Sequence, residues 1–165
     1  MAHVPELHRQ RQDLERQNTS QLLRMPYEAY IGLLFEHLAL AGYADIHPAH
    51  AIVFQHVPAE GTHVTKLAER TQLTKQYLGR LVAELEALGY LERAPDPTDG
   101  RAKLVRLSER GRQITRVAER IIANIEAAWA QRVGEEGSRD LRRRLIDLII
   151  ALEAVSPSVK GGRDV

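Results

Sequence analysis

The chain has 165 residues, 44% of them apolar and 5% aromatic, a formal net charge of +1 and no cysteine. That length supports one core with appended helices, and the missing thiols exclude disulfides, thiolate metal centres and thiol redox chemistry. No apolar run approaches the roughly 18 residues of a transmembrane helix, and charged Glu6–Arg16 offers no signal-peptide core, so a cytoplasmic protein with no membrane partner is expected.

Residues 1–18 read as a polar N-terminal arm or helix with few apolar anchors. Residues 19–46 carry the first strong helix: Ile31, Leu34, Leu38 and Ala41 recur on one face of the Tyr27–Ala41 segment. Pro26 either opens that helix, where its missing N–H is harmless, or kinks a longer one starting near Thr19. After the loop Gly42–Asp45, Pro48 opens a short helix to His56, with Ala51, Ile52 and Phe54 facing the core. Pro58–Gly61 is a turn.

A short helix over Val64–Thr71 places Leu67 and Ala68 inside. Thr74 is a good N-cap for a helix over Lys75–Leu88, which buries Leu78, Leu81, Val82, Leu85 and Leu88 and ends at Gly89. Two helices around a tight turn, the second amphipathic, form a helix-turn-helix. Strands over Leu91–Ala94 and Lys103–Leu107 then flank a turn with a cationic tip. Ser108 caps a long helix over Glu109–Val133, Gly134–Gly137 breaks it, and a last helix covers Ser138–Ala154. Residues 156–165 form a polar tail expected to be disordered. The fold class is mainly α with a small β-hairpin. A winged helix-turn-helix unit (47–108) lies between N-terminal (19–46) and C-terminal (109–155) helices. Three amphipathic helices beside so small a unit leave apolar stripes that a partner chain must cover, so a homodimer is expected.

A helix followed by a basic hairpin is a way to present a chain to double-stranded DNA. With Leu78, Leu81 and Val82 inside, Lys75, Gln76, Gly79, Arg80 and Ala83 face outward. Gln76 suits adenine, and Arg80 suits guanine or a phosphate. Thr74 and Lys75, at the helix N-terminus, suit phosphate contact. Tyr77 either touches the DNA backbone or packs beside Leu81. Gly79 costs about 1 kcal/mol of helix propensity relative to Ala, which fits close approach to DNA, tight packing or simple tolerance. At the wing, Arg101 suits the narrow minor groove, Asp99 is placed to orient it, and Lys103 and Arg106 suit phosphates.

The run Lys66-Leu67-Ala68-Glu69-Arg70, then Leu73-Thr74, Arg80-Leu81, Leu85-Glu86, Gly89–Arg93, Asp96–Lys103, Leu107-Ser108 and Gly111, resembles the MarR family of bacterial transcription regulators. The resemblance covers about Thr19 to Leu152. It implies a triangular homodimer of winged-helix protomers, most often a repressor, on a pseudo-palindromic operator, with recognition helices about 34 Å apart and release by a small-molecule effector. The family's DNA contacts carry over to Thr74, Lys75, Gln76, Tyr77, Arg80, Asp99, Arg101 and Lys103. Its ligand site, between dimerisation helices and winged helix, carries over to Tyr30, His37, His50 and Phe54. Gln72 stands where the family often has Gly, and Gly79 where it often has a hydroxyl residue.

Two alternatives have sequence support. His47, His50 and His56, near His37 and Asp45, suggest a metal-sensing regulator, although their spacing matches no strong zinc signature and no metal ligand is assigned. A winged-helix protein-interaction module without DNA binding is the other. No nucleophile elbow or Walker A motif is present, Ser108 reads as a cap, and neither an enzyme activity nor a cofactor is expected.

Overall fold

The computed structural model describes residues 11–99 and 102–155. Helix α1 (Thr19–Leu40) starts at Asn18, whose Oδ1 accepts the Gln21 N–H at 3.0 Å while the Gln21 side chain accepts the Asn18 N–H at 3.2 Å. Two orphan N–H groups are thus satisfied together, and the helix forms upstream of Pro26. Of the two readings of Pro26, the longer helix is the one observed: the proline lies inside it. Helix α2 (Pro48–His56) has Pro48 at its first position.

Helices α3 (Val64–Thr71) and α4 (Lys75–Ala87) form the helix-turn-helix. The turn between them requires a left-handed residue, and Gln72 supplies it at φ 57° and ψ 19°. Thr74 Oγ1 accepts the Tyr77 N–H at 3.2 Å and starts α4. At its other end Gly89 takes φ 76°, the Tyr90 N–H reaches Leu85 O at 2.8 Å, and the Gly89 N–H reaches Glu86 O at 3.0 Å. Those bonds satisfy the last carbonyls and turn the chain into the hairpin.

Strands β1 (Leu91–Pro95) and β2 (Lys103–Leu107) are antiparallel, in register from Leu91 opposite Leu107 to Pro95 opposite Lys103. The sequence reading treats Pro58–Gly61 as a plain turn. The structure adds a bridge just after it: Thr62 and Val105 exchange two backbone bonds of 2.9 and 2.8 Å. Gly61 makes this possible, at φ 91°, where a Cβ would lie 3.1 Å from Val105 O.

Helix α5 (Glu109–Val133) is capped by Ser108 Oγ, which accepts the Gly111 N–H at 3.1 Å. Its first turn presses on the link between α4 and β1: a Cβ on Gly111 would overlap the Tyr90 carbonyl oxygen. Helix α6 (Glu135–Val155) starts three residues before the expected Ser138. Only Gly134, at φ 79°, breaks the chain, while Gly137 is helical. Glu135 and Glu136 in the first turn favour this earlier start, since acidic groups suit a helix N-terminus.

The core lies where α2, α3, α4 and the hairpin meet, with Val53, Leu67, Leu78, Val82, Leu85, Tyr90 and Val105 fully buried. Leu34 and Leu38 of α1 extend it toward Ile114 and Ile125 of α5. A polar clasp joins these parts. Tyr90 Oη donates to Asp45 at 2.7 Å, and Arg110 bonds the other Asp45 oxygen at 2.8 Å and Leu88 O at 2.7 Å. The Arg110 guanidinium also lies 4.2 Å from the Tyr90 ring centroid. Burial, and then the Asp45 carboxylate, push the Tyr90 phenol well above its ordinary range. Burial acts to raise Asp45 as well, but the Tyr90 hydroxyl and Arg110 outweigh it and hold the carboxylate low. The loop before α2, the end of α4 and the start of α5 are therefore tied at one charged group. No helix among the described residues is long and apolar enough to cross a membrane.

Candidate nucleic-acid interface

Helix α4 has two unlike faces. Leu78, Leu81, Val82 and Leu85 are buried, while Lys75, Gln76, Arg80 and Ala83 are exposed. Tyr77 stays at the surface, 37% exposed, with the Arg80 guanidinium 5.2 Å from its ring centroid. Arg80 Nε lies 3.7 Å from Glu84 Oε1, one turn further along. The N–H groups of the first turn have no intrahelical acceptors, so this end of α4 offers positive potential beside Lys75. Thr74 is committed to capping through its side-chain oxygen. Gly79 lies on the outward side, and a Cβ there would meet nothing within 4 Å, so tight packing does not explain it.

The wing is anchored at its base. Asp96 Oδ1 accepts both the N–H and the hydroxyl of Thr98 at 2.7 Å, and Oδ2 pairs with His63 Nε2 at 2.8 Å. The two Thr98 bonds, followed by His63, overcome the effect of burial and pull the Asp96 carboxyl down to about 2. The Asp96 N–H reaches Ala102 O at 3.1 Å, and the Ala102 N–H reaches Asp99 O at 2.9 Å, closing the turn. Lys103 is exposed. Arg106 is held by Glu92 across the hairpin at 2.7 Å. Arg101, together with its expected pairing to Asp99, lies outside the described residues.

The sequence reading misses the His63–Asp96 link. Asp96-Pro97-Thr98 carries a local turn signal, but nothing local points from Asp96 to His63. Where a short polar N-cap is usual, His63 makes no side-chain cap bond to α3.

Among the described residues the four candidate effector residues lie in different surroundings. Phe54 lines a cavity of about 200 Å³ between α1, α2 and α5, with Leu34, Phe35, Leu38, Gln55 and Ile114 among its walls. Tyr30 packs edge-on against Trp129, ring centroids 5.9 Å apart, in a separate recess. Burial, with Glu126 and Tyr27, raises its phenol. His37 is exposed beside another recess, with Nδ1–H donating to Leu33 O at 2.8 Å. His50 is buried and bonded to Glu84 of α4. The other histidines are similarly dispersed: His56 bonds Ile52 O, and His47 stacks on His50. Among the described residues no three His, Cys, Asp or Glu side chains gather as a metal requires.

This geometry agrees with known proteins. A profile described as the MarR family matches residues 44–102, from the loop before α2 to the wing. An HTH-type transcriptional regulator of Mycobacterium bovis, itself described as uncharacterized, is 35% identical over 94 residues, 55% of this chain and 63% of its own length. The match therefore spans less than two thirds of that relative. Streptococcus pneumoniae FabT in complex with DNA aligns at a TM-score of 0.69 and 19% identity, covering 83% of this chain and 96% of FabT. Rhodococcus jostii CouR bound to p-coumaroyl-CoA aligns at 0.61 and 22% identity, covering 80% of this chain and 92% of CouR. The structural likenesses establish the fold, and the segment that matches the MarR family profile is the winged helix-turn-helix itself.

Proposed function

We propose that the protein is a DNA-binding transcription regulator. It grips a pseudo-palindromic operator as a homodimer, represses by occupying it, and lets go when a small molecule binds. The two-faced α4 carries this reading: a fully packed inner side holds Lys75, Gln76 and Arg80 outward on a rigid helix. Such a helix fits the major groove, and these side chains suit base edges and phosphates. Thr74 and Tyr77 flank it, and Asp99, Arg101 and Lys103 extend the contact to the minor groove and its phosphates. FabT in complex with DNA lends the same fold a DNA-bound precedent.

The effector reading rests on the cavity beside α2. Its volume of about 200 Å³ exceeds the roughly 150 Å³ that accommodates benzene, so it suits one substituted ring. Phe54, one of the four residues proposed for this role, lines that cavity. CouR with p-coumaroyl-CoA supplies a ligand-bound example of the fold.

The test is selection of duplexes from a random-sequence library by the purified chain, followed by affinity measurements at several salt concentrations. Sequence-selective, salt-sensitive binding is expected, and Arg101→Ala should weaken it. Binding with no preference over random DNA overturns the proposal.

A further inference from the structure

A path of two hydrogen bonds and one ion pair runs from the buried side of the helix-turn-helix to the face proposed to meet DNA. His50, in the first turn of α2, is 3% exposed. Its Nδ1 accepts the His47 N–H at 3.2 Å, which leaves the ring proton on Nε2. That Nε2–H donates to Glu84 Oε2 at 3.2 Å. The other Glu84 oxygen lies 3.7 Å from Arg80 Nε, and Arg80 rests against Tyr77 on its far side.

We infer that His50 is a positioning residue for sequence recognition: by anchoring Glu84, it fixes the direction in which Arg80 leaves the recognition helix. The inference rests on the DNA-binding reading above. A surface Arg–Glu pair one helical turn apart contributes little by itself, because both long side chains are free to turn away. Glu84 lacks that freedom. One of its oxygens is held by a buried donor whose other nitrogen is tied to backbone, so only Oε1 faces Arg80. The approach is to Nε, which leaves the terminal amino groups of the guanidinium for a guanine edge or a phosphate. A Glu84 released from His50 is able to rotate and take Arg80 in a two-bond fork, withdrawing the same donors from DNA.

The experiment uses a duplex selected by the wild-type chain and a scrambled duplex of equal length and composition. The quantity read is discrimination, the ratio of the two dissociation constants. A general loss of stability or a change in net charge moves both constants together and leaves the ratio in place. His50→Phe keeps the ring shape without the donor, and should lower discrimination about threefold to fivefold. His50→Gln, whose amide N–H reaches toward Glu84, should stay within about twofold of wild type. In an Arg80→Ala background, His50→Phe should change nothing further. Glu84→Ala, at a half-exposed position that carries little folding risk, should show the same loss and the same silence, which keeps the test decisive if His50→Phe fails to fold. Undiminished discrimination in Glu84→Ala and His50→Phe, or an equal loss without Arg80, overturns the inference while leaving DNA binding intact. A wild-type chain that selects no sequence overturns both.

Discussion

Gln72, Gly79 and Gly111 show how residue type and residue role separate. Gln72 holds a left-handed backbone at φ 57°, a conformation that costs a side-chain-bearing residue roughly 1–2 kcal/mol and glycine almost nothing. Gln72→Gly relieves that strain, and the denaturant midpoint at unchanged slope reads the relief net of glycine's own entropy loss and of the side-chain interaction given up. Gly79 and Gly111 both sit inside helices and look alike in sequence. A Cβ at Gly79 meets open space, whereas one at Gly111 runs into the Tyr90 carbonyl oxygen. Gly79→Ala should therefore stabilise the fold by up to about 1 kcal/mol while weakening operator binding, since the added methyl lies on the face proposed to meet DNA. Gly111→Ala should destabilise by about 1–3 kcal/mol, because the first turn of α5 must move off the Tyr90 backbone. Thermal melts paired with DNA titrations separate the two. An Ala at 79 that binds DNA as tightly as wild type would remove the case for close approach there.

At the scale of elements, what was legible follows locality. Thr74, Gly89 and Ser108 announce the ends of α4 and the start of α5 within three or four residues, and the structure uses all three as expected. The apolar spacing of Leu78, Leu81, Val82 and Leu85 fixed the inner face of α4, and with it the outward set. Contacts between distant segments were not legible: the Thr62–Val105 bridge, the clasp of Asp45 with Tyr90 and Arg110, and the His63–Asp96 link. None has a local signal, because each depends on how α3, the hairpin and α5 pack. The wing link also predicts a pH dependence. Asp96 falls from an ordinary 3.8 to about 2 on folding, so the folded state favours its carboxylate. That contribution is complete above the ordinary value and is lost as pH falls from there toward the folded one. Between pH 4 and 2 the melting temperature of wild type should therefore drop more steeply than that of Asp96→Asn, which should already be less stable at neutral pH. Parallel acid limbs for the two proteins would mean that Asp96 does not act through its charge.

On the scale of the whole molecule, α6 stands out by its exposed apolar side chains. Leu141, Ile146, Ile149, Ile150 and Leu152 are 53%, 40%, 44%, 52% and 49% exposed, and α1 adds Leu22, Leu23 and Tyr27 at its N-terminal half. Among the described residues nothing covers these groups, and an apolar set of this extent marks a protein interface. The second copy proposed above would cover them and also serve the proposed function, since a two-fold axis through such helices would set two α4 helices on one face of a duplex. Linking two weak half-site contacts raises affinity by about 10² to 10⁴ without any new contact to DNA. Substituting Ile146→Glu together with Ile149→Glu places charges in the exposed stripe while sparing the buried core. Sedimentation should then report a folded monomer, against a dimer expected for the wild type. Affinity for the selected full site should fall by at least about tenfold, while affinity for a duplex carrying one half-site stays where it was. Equal losses on full and half sites would show that the substitutions damage the winged helix instead of the pairing. A wild-type chain that sediments as a monomer while binding the full site at full strength would detach recognition from dimerisation altogether.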